Sequence, residues 1–197
     1  MYIEAILIGL LIGMIRNGRL VNFNNSKFKG WAIAILAFVV YLVPYALKIF
    51  SIGFENPQWF PFAAMGLIGV VALANFDKTG MKLFFVGTLL NMAVMAFNGF
   101  MMPIDIEKMR ALGFESFVES ITNGTVVNYI DSMDATKWTV FFAKIIGLPN
   151  WYPLARVISI GDIVISVGIA LVIQSEMLLH SMRTKNSMVR FSYKSKI

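Results

Sequence analysis

Charged residues cut this chain into long apolar runs. Stretches 30–47, 56–76 and 83–104 contain no Asp, Glu, Lys, Arg or His, and each approaches the ~20 residues that carry an α-helix across the hydrocarbon core of a bilayer. They predict spans over 30–50, 58–76 and 83–103. A further run, opening "SIGDIVISVGIALVI", predicts a last span over 159–179, interrupted by Asp162 near one end and by Gln174 and Glu176 near the other. At the N-terminus the apolar residues predict a first span over 2–16. At the helical rise its roughly 15 residues reach only about 22 Å, so Arg16 must snorkel or the bilayer must thin. The segment lacks the basic start and small-residue cleavage site of a signal peptide and reads as a retained helix. The pattern therefore predicts an all-α integral membrane protein, a single membrane domain over 1–197 with five transmembrane helices.

The longest interval between spans, 105–158, has a different character. "IDIEKMRALGFESFVESI" places Ile106, Met109, Leu112 and Phe117 at helical spacing, and "DATKWTVFFAKIIGLP" gathers Trp138, Val140, Phe141, Phe142, Ile145 and Ile146 between lysines. Both predict short amphipathic helices that lie on the membrane surface or cap the bundle. "SITNGTV" between them is a turn, and its Asn-Gly-Thr sequon matters only in a host that glycosylates. About fifty residues bury too little surface for a core of their own, so the segment is expected to lean on the spans.

Composition agrees with the membrane class: 58% of the 197 residues are hydrophobic and 14% charged, with a mean hydropathy of +0.72, outside the usual globular mixture. Charge then sets the orientation. Arg16, Arg19, Lys27 and Lys29 follow the first span, Lys78 and Lys82 the third, and Arg183, Lys185, Arg190, Lys194 and Lys196 the last. These alternate segments hold 11 of the 17 basic residues. The positive-inside rule places them in the cytoplasm, with the N-terminus outside, the C-terminus inside and 180–197 a basic cytoplasmic tail. The outer segment is balanced, with acids Asp105, Glu107, Glu115, Glu119, Asp131 and Asp134 against Lys108, Arg110, Lys137, Lys144 and Arg156. Topology and attraction to anionic lipid account for the net charge of +6, so membrane lipids are expected partners and nucleic acid is not.

Chemistry is more readily excluded than assigned. The chain has no cysteine and one histidine, His180, which removes thiol nucleophiles, disulfides, iron–sulfur clusters and thiolate or multi-histidine metal sites. HExxH, GxSxG and Gly-rich phosphate-loop patterns are missing, so no catalytic residue, metal or cofactor is expected and an enzyme is the minority reading. What remains are polar residues inside spans. Asn91 and Asn98 stand two helical turns apart on one stripe of the fourth span. Ser159, Asp162 and Ser166 share a face of the last span, with Gly161 and Gly168 offering close approach beside it. Asn98 and Asp162 fall near the outer ends and Asn91 about 10 Å deeper. An outward-facing polar pocket follows, with Asp162, Asn98, Asn91, Ser159, Ser166, Gly99 and Gly161 as its ligand-binding set.

A plainer reading stands beside it. Ser159-Ile160-Gly161-Asp162 fits a capping box, in which Ser159 caps the helix and Asp162 reaches back to the Ser159 N–H. Asn91 and Asn98 would then be interhelical hydrogen-bonding residues worth about 0.6–2 kcal/mol per contact. Glu4 lies at the interface or joins the pocket. Gly9 and Gly13 let the first span pack closely on another helix, Pro44 kinks the second, and Met92, Met95, Met101 and Met102 fill apolar space.

Several phrases together are similar to a known family. "NGRL" after the first span, "GTLLNMAVMAFNGFMMP" through the fourth, and "IIGLPNWYPLARVISIGDIVISVGIALVI" into the last resemble the DUF5317 family of bacterial membrane proteins over nearly the whole chain. The most specific pieces are Gly18-Arg19, Asn91, Asn98-Gly99 with Met102-Pro103, and Ser159 with Gly161-Asp162. The chain departs from that pattern at Phe100, where relatives often carry a small residue or Gly. The resemblance implies an architecture and a multi-pass place in the bacterial plasma membrane, and no activity. The function expected is therefore a non-enzymatic membrane protein that binds a small or amphipathic ligand, or a protein partner, in the pocket between the fourth and fifth spans. One alternative is a transporter or membrane-complex subunit with Asp162 as a proton or cation site. Another is an enzyme acting on lipid head groups, with Asp162 as base and Arg156 or Arg19 as phosphate clamp, Arg19 being on the wrong side for that task.

Overall fold

Each long apolar run becomes a helix in the computed structural model, which describes residues 1–148 and 156–193, without the side chains of residue 25 and of 179–193. The order is α1 (Tyr2–Ile15), α2 (Trp31–Ile49), α3 (Trp59–Ala74), α4 (Met81–Ala96), β1 (Met102–Ile104), α5 (Ile106–Ala111), α6 (Glu115–Thr122), β2 (Tyr129–Asp131), β3 (Ile146–Gly147), β4 (Val157–Ile158) and α7 (Ile160–Tyr193). Two single-purpose 3₁₀ turns, Leu20–Asn25 and Thr139–Phe142, complete it. The chain is mostly helical, with seven α-helices among the described residues. Two of them, α2 and the Ile160–Leu178 part of α7, are long and apolar enough to cross a membrane, while α1, α3 and α4 are shorter apolar helices.

The five long helices pack in an open arc, in the order α1, α7, α4, α3, α2; its two ends, α1 and α2, touch each other at most marginally. Small residues set the closest seam. Gly80 and Gly87 on or beside α4 meet Gly168 and Gly161 on α7, seven residues apart on each antiparallel partner, so the same helix faces touch at both heights. A Cβ on Gly87 would lie 2.7 Å from the Gly161 carbonyl oxygen, and one on Gly168 would lie 2.6 Å from the Phe84 nitrogen. Only hydrogen fits there. On the other side of α7, Gly9 and Gly13 of α1 face Ala170 and Met177, which is the close packing their spacing predicts.

Several elements differ from the sequence expectation. The helix expected as a fourth span reaching residue 103 stops at Ala96. Asn98 turns its amide back onto the Val94 carbonyl at 2.6 Å, the Phe100 N–H returns to Met95 O at 2.8 Å, and Gly99 and Phe100 both take left-handed backbone (φ +62° and +67°). That sequence of turns ends a helix. The amphipathic helix expected across Trp138–Ile146 shrinks to the single 3₁₀ turn Thr139–Phe142. Beyond it Lys144 bridges to β1, its N–H on Pro103 O at 2.9 Å and its carbonyl taken by the Asp105 N–H at 3.0 Å. This pairing with a distant strand overrides the local helical pattern. The last helix, predicted over 159–179, continues to Tyr193. The whole tail assigned to 180–197 lies outside the described side chains, His180 included.

The outer segment has a small core after all. β1 pairs in parallel with β2 and β3 antiparallel with β4, while Ile104, Ile106, Met109, Val118, Ile121 and Val157 pack beneath α5 and α6. Its second anchor is on the helices: Met102 packs with Val94 and Met95 of α4, and Phe62, Met65, Tyr129 and Phe142 close around them. Asp105 caps α5, its carboxylate accepting the Lys108 N–H, and the single amphipathic helix expected over "IDIEKMRALGFESFVESI" is broken into α5 and α6 at Gly113, which takes left-handed backbone (φ +81°).

Candidate functional site

The start of α7 explains how an apolar helix carries a carboxylate. Ser159, immediately before α7, accepts the Asp162 N–H on Oγ at 3.0 Å, and Asp162 Oδ2 accepts the Ser159 N–H at 3.3 Å. That is the reciprocal capping box. The same groups do more than cap. Ser159 Oγ donates to Asn91 Oδ1 (2.9 Å), and Asn91 Nδ2 donates to Asp162 Oδ1 (3.0 Å). Tyr2 of α1 donates its hydroxyl to Asp162 Oδ1 (2.9 Å), and Lys144 of the outer segment places its ammonium 2.7 Å from Asp162 Oδ2. Four donors from α1, α4, the outer segment and the residue before α7 thus converge on a carboxylate that is only 4% exposed. Ser166 closes the turn by donating to the Asp162 carbonyl at 2.8 Å. Gly161 is small because Asn91 lies where its Cβ would be.

Lys144 reaches this point because its backbone is pinned beside β1, which follows directly from the end of α4. Its ammonium lies 5.9 Å from the centre of the Tyr129 ring. Burial opposes its charge, but the electrostatic influence of Tyr129, then that of Asp162 and the hydrogen bond to it, outweigh burial and hold the Lys144 pKa above the ordinary lysine value. The pair stays ionised, and each charge is matched.

Asn98, expected to line the same pocket, does not reach this cluster. Its amide serves Val94 and Thr139 Oγ1 (2.9 Å), and its oxygen accepts the Thr136 N–H (2.8 Å). It ties the outer segment to the end of α4. Asn98 lies beyond the end of α4 at Ala96 and is engaged elsewhere, and Gly99 belongs to the turn rather than to the cluster. Glu4 pairs with Arg156 at 3.0 Å. Arg19 sits halfway along α7, its N–H on the Met177 carbonyl at 3.1 Å. Three contributors escaped sequence reasoning: Tyr2, Lys144 and Asn128. Lys144 has a sequence signal, a lone base inside "VFFAKIIGLP"; the other two have none.

Below the cluster the inside of the helix arc holds a cavity of about 650 Å³. Tyr2, Asn91, Asn128, Tyr129, Lys144 and Asp162 line its outer end, whereas Ala34, Phe38, Ile68, Phe84, Ile165 and Ile169 line the remainder. Along α4 it extends from Met95 to Phe84, about 16 Å at the helical rise. The Oδ1 of Asn128, a buried residue, has no hydrogen-bond partner. Among the described residues no three His, Asp or Glu side chains gather as a metal site. What the arrangement offers chemically is a slot with one polar, hydrogen-bonding end and an apolar body.

A family model described as a family of unknown function (DUF5317) matches residues 25–174, and the chain belongs to that family. No curated protein and no solved structure matches it.

Proposed function

For this member of DUF5317 we propose a bacterial plasma-membrane protein with five spans, N-terminus outside and C-terminus inside, that binds an amphipathic ligand in the cavity beneath its outer segment. The membrane setting is supported by α1 and α2, where Ile3, Leu7, Ile8 and Leu11 and then Ile35, Leu36, Phe38 and Val39 are exposed around much of each helix. Helices without a polar face have no favourable surface to offer water. Basic residues concentrate at the ends opposite the outer segment, in keeping with the orientation.

The observation that carries the ligand reading is the polarity gradient of the cavity. A ligand that was polar throughout would strand its groups against Ile68, Phe84 and Ile169, and one apolar throughout would leave the outer end unmatched. The network around Asp162 supports the same reading, since four donors already satisfy that carboxylate. Asp162 acts there as the fixed counter-charge that holds Lys144 at the mouth rather than as a vacant cation site.

The test uses protein held in amphipathic polymer, free of detergent. Lauroyl lysophosphatidylglycerol should raise the midpoint of thermal unfolding by several degrees, while glycerol 3-phosphate alone and dodecane alone should not. Equal shifts with all three, or none with the lysolipid, would overturn the proposal.

A further inference from the structure

The arc of helices has a gap, and the cavity faces it. α1 and α2 close on α7 and α3 but scarcely on each other. Phe38 and Tyr41 of α2 line the cavity yet remain 64% and 37% exposed, which places them on a rim open to the side. The cavity is about 16 Å deep by helical rise, close to half of the ~30 Å hydrocarbon core, the depth of one leaflet. Its polar end lies at the level of the outer segment. At that end, among the described residues, Asn128 presents an unpartnered acceptor while being only 8% exposed, and Lys144 has one hydrogen-bond acceptor, Asp162, for its three N–H groups.

Resting on the amphipathic-ligand reading above, we infer that the occupant is a lipid of the outer leaflet that slides in sideways between α1 and α2. One acyl chain lies along Ile68, Phe84 and Ile169. The head group gives a hydrogen bond to Asn128 Oδ1 and accepts one from Lys144. An aqueous ligand would have to pass the outer segment, whereas a lipid already lies beside the gap and needs no transfer through water. The head-group chemistry is correspondingly restricted. Hydroxyl-bearing glycerol heads supply both a donor and acceptors; choline heads supply acceptors and no donor, leaving Asn128 unsatisfied in a buried place.

The experiment reconstitutes the full chain in vesicles of equal parts phosphatidylglycerol and phosphatidylcholine, each with a diazirine near the end of one chain. Crosslinked peptides are mapped by mass spectrometry, and intact mass is read in parallel. We expect one lipid per monomer and crosslinks at Phe84 and Ile169. The glycerol head should be favoured about tenfold, the ratio that a lost hydrogen bond of ~1.4 kcal/mol produces. Asn128→Leu should bring that preference to parity while the crosslinks persist. Asn128→Asp, with the same shape but no donor, serves if the leucine variant fails to fold, and it should retain the preference. Crosslinks confined to outward residues such as Ile35 and Val39 would overturn the inference, and if the lysolipid still stabilised the protein the ligand reading would stand without it. A lipid-free dimer mass would overturn it in favour of a second copy covering the gap. A preference for choline would overturn the assignment of Asn128. Absence of both the crosslinks and lysolipid stabilisation would remove the two proposals together.

Discussion

Asp162 shows how one residue can hold two roles that look like alternatives in a sequence. It completes the capping box of α7 and, with the same two oxygens, takes Tyr2, Asn91 and Lys144. A carboxylate inside an apolar helix is tolerable because its charge is matched at 2.7 Å by Lys144. Lys144→Met should therefore cost about 3–5 kcal/mol by leaving the carboxylate buried and unmatched, and Asp162→Asn in the same chain should recover much of that loss, a coupling measurable by chemical unfolding in mixed micelles. The pH dependence has a definite sign. A lysine whose folded pKa is raised contributes stability that is complete below its unfolded value, about 10.4, and is lost as pH rises through the higher folded value. The advantage of wild type over the double variant should persist at pH 10 and fade above it. Phe100 has a different tension. Its left-handed φ of +67° disfavours any side chain, yet its ring packs against Trp59, tilted, and Phe62, edge-on, at 4.4 and 4.8 Å between centroids. Phe100→Ala should be less stable than Phe100→Gly by about 1 kcal/mol, because alanine loses the rings and keeps the backbone cost.

The α4–α7 seam is the element that positions Asn91 against Asp162. Its glycines bring two backbones within reach, so Gly87→Ala should destabilise by about 1–3 kcal/mol through overpacking, its Cβ having 2.7 Å to the Gly161 carbonyl oxygen and Ile165. Gly66→Ala on α3 is the control: its Cβ would meet Met92 at an ordinary 3.5 Å, and stability should change little. Thermal unfolding of the two variants decides it, and a harmless Gly87→Ala would argue that the seam is loose. Halfway along α7, Lys78 in the α3–α4 turn pairs with Glu176 at 2.6 Å. One helix is thus held by a buried ion pair at its start and another at its middle, both to residues brought from other elements.

At the scale of the molecule, the arc and its outer cover form a single arrangement in which the cover supplies the cation and the helices supply the anion. The proposed orientation makes a direct prediction. Reporter fusions after Lys29 and Lys82 should report cytoplasm and fusions near Asn123 the outside. A cytoplasmic signal at Asn123 would place α5 and α6 on the inner face and overturn the five-span topology. Protease added from outside should spare Trp138 and its neighbours, since Trp138 meets Phe97 edge-to-face at 4.9 Å and Thr139 behind it is fully buried. Rapid loss of the whole outer segment would contradict that packing.

Local chemistry was enough to read the places of the long helices, the capping box at Ser159–Asp162, and the close packing of Gly9 and Gly13. Each depends on residues near one another in sequence, through apolar run length, side-chain reach over one turn, or helical spacing. The replacement of a helix by a bridge at Lys144 and the diversion of Asn98 to Thr136 and Thr139 depend on partners 38 to 41 residues away. No window along the chain contains that information. The cluster itself is the clearest case: Asp162 is legible as a buried acid, but Lys144 and Tyr2 join it only when the outer segment pairs with β1 and α1 packs on α7. The open side of the arc is likewise a property of which helices fail to touch, and only the assembled helices decide it.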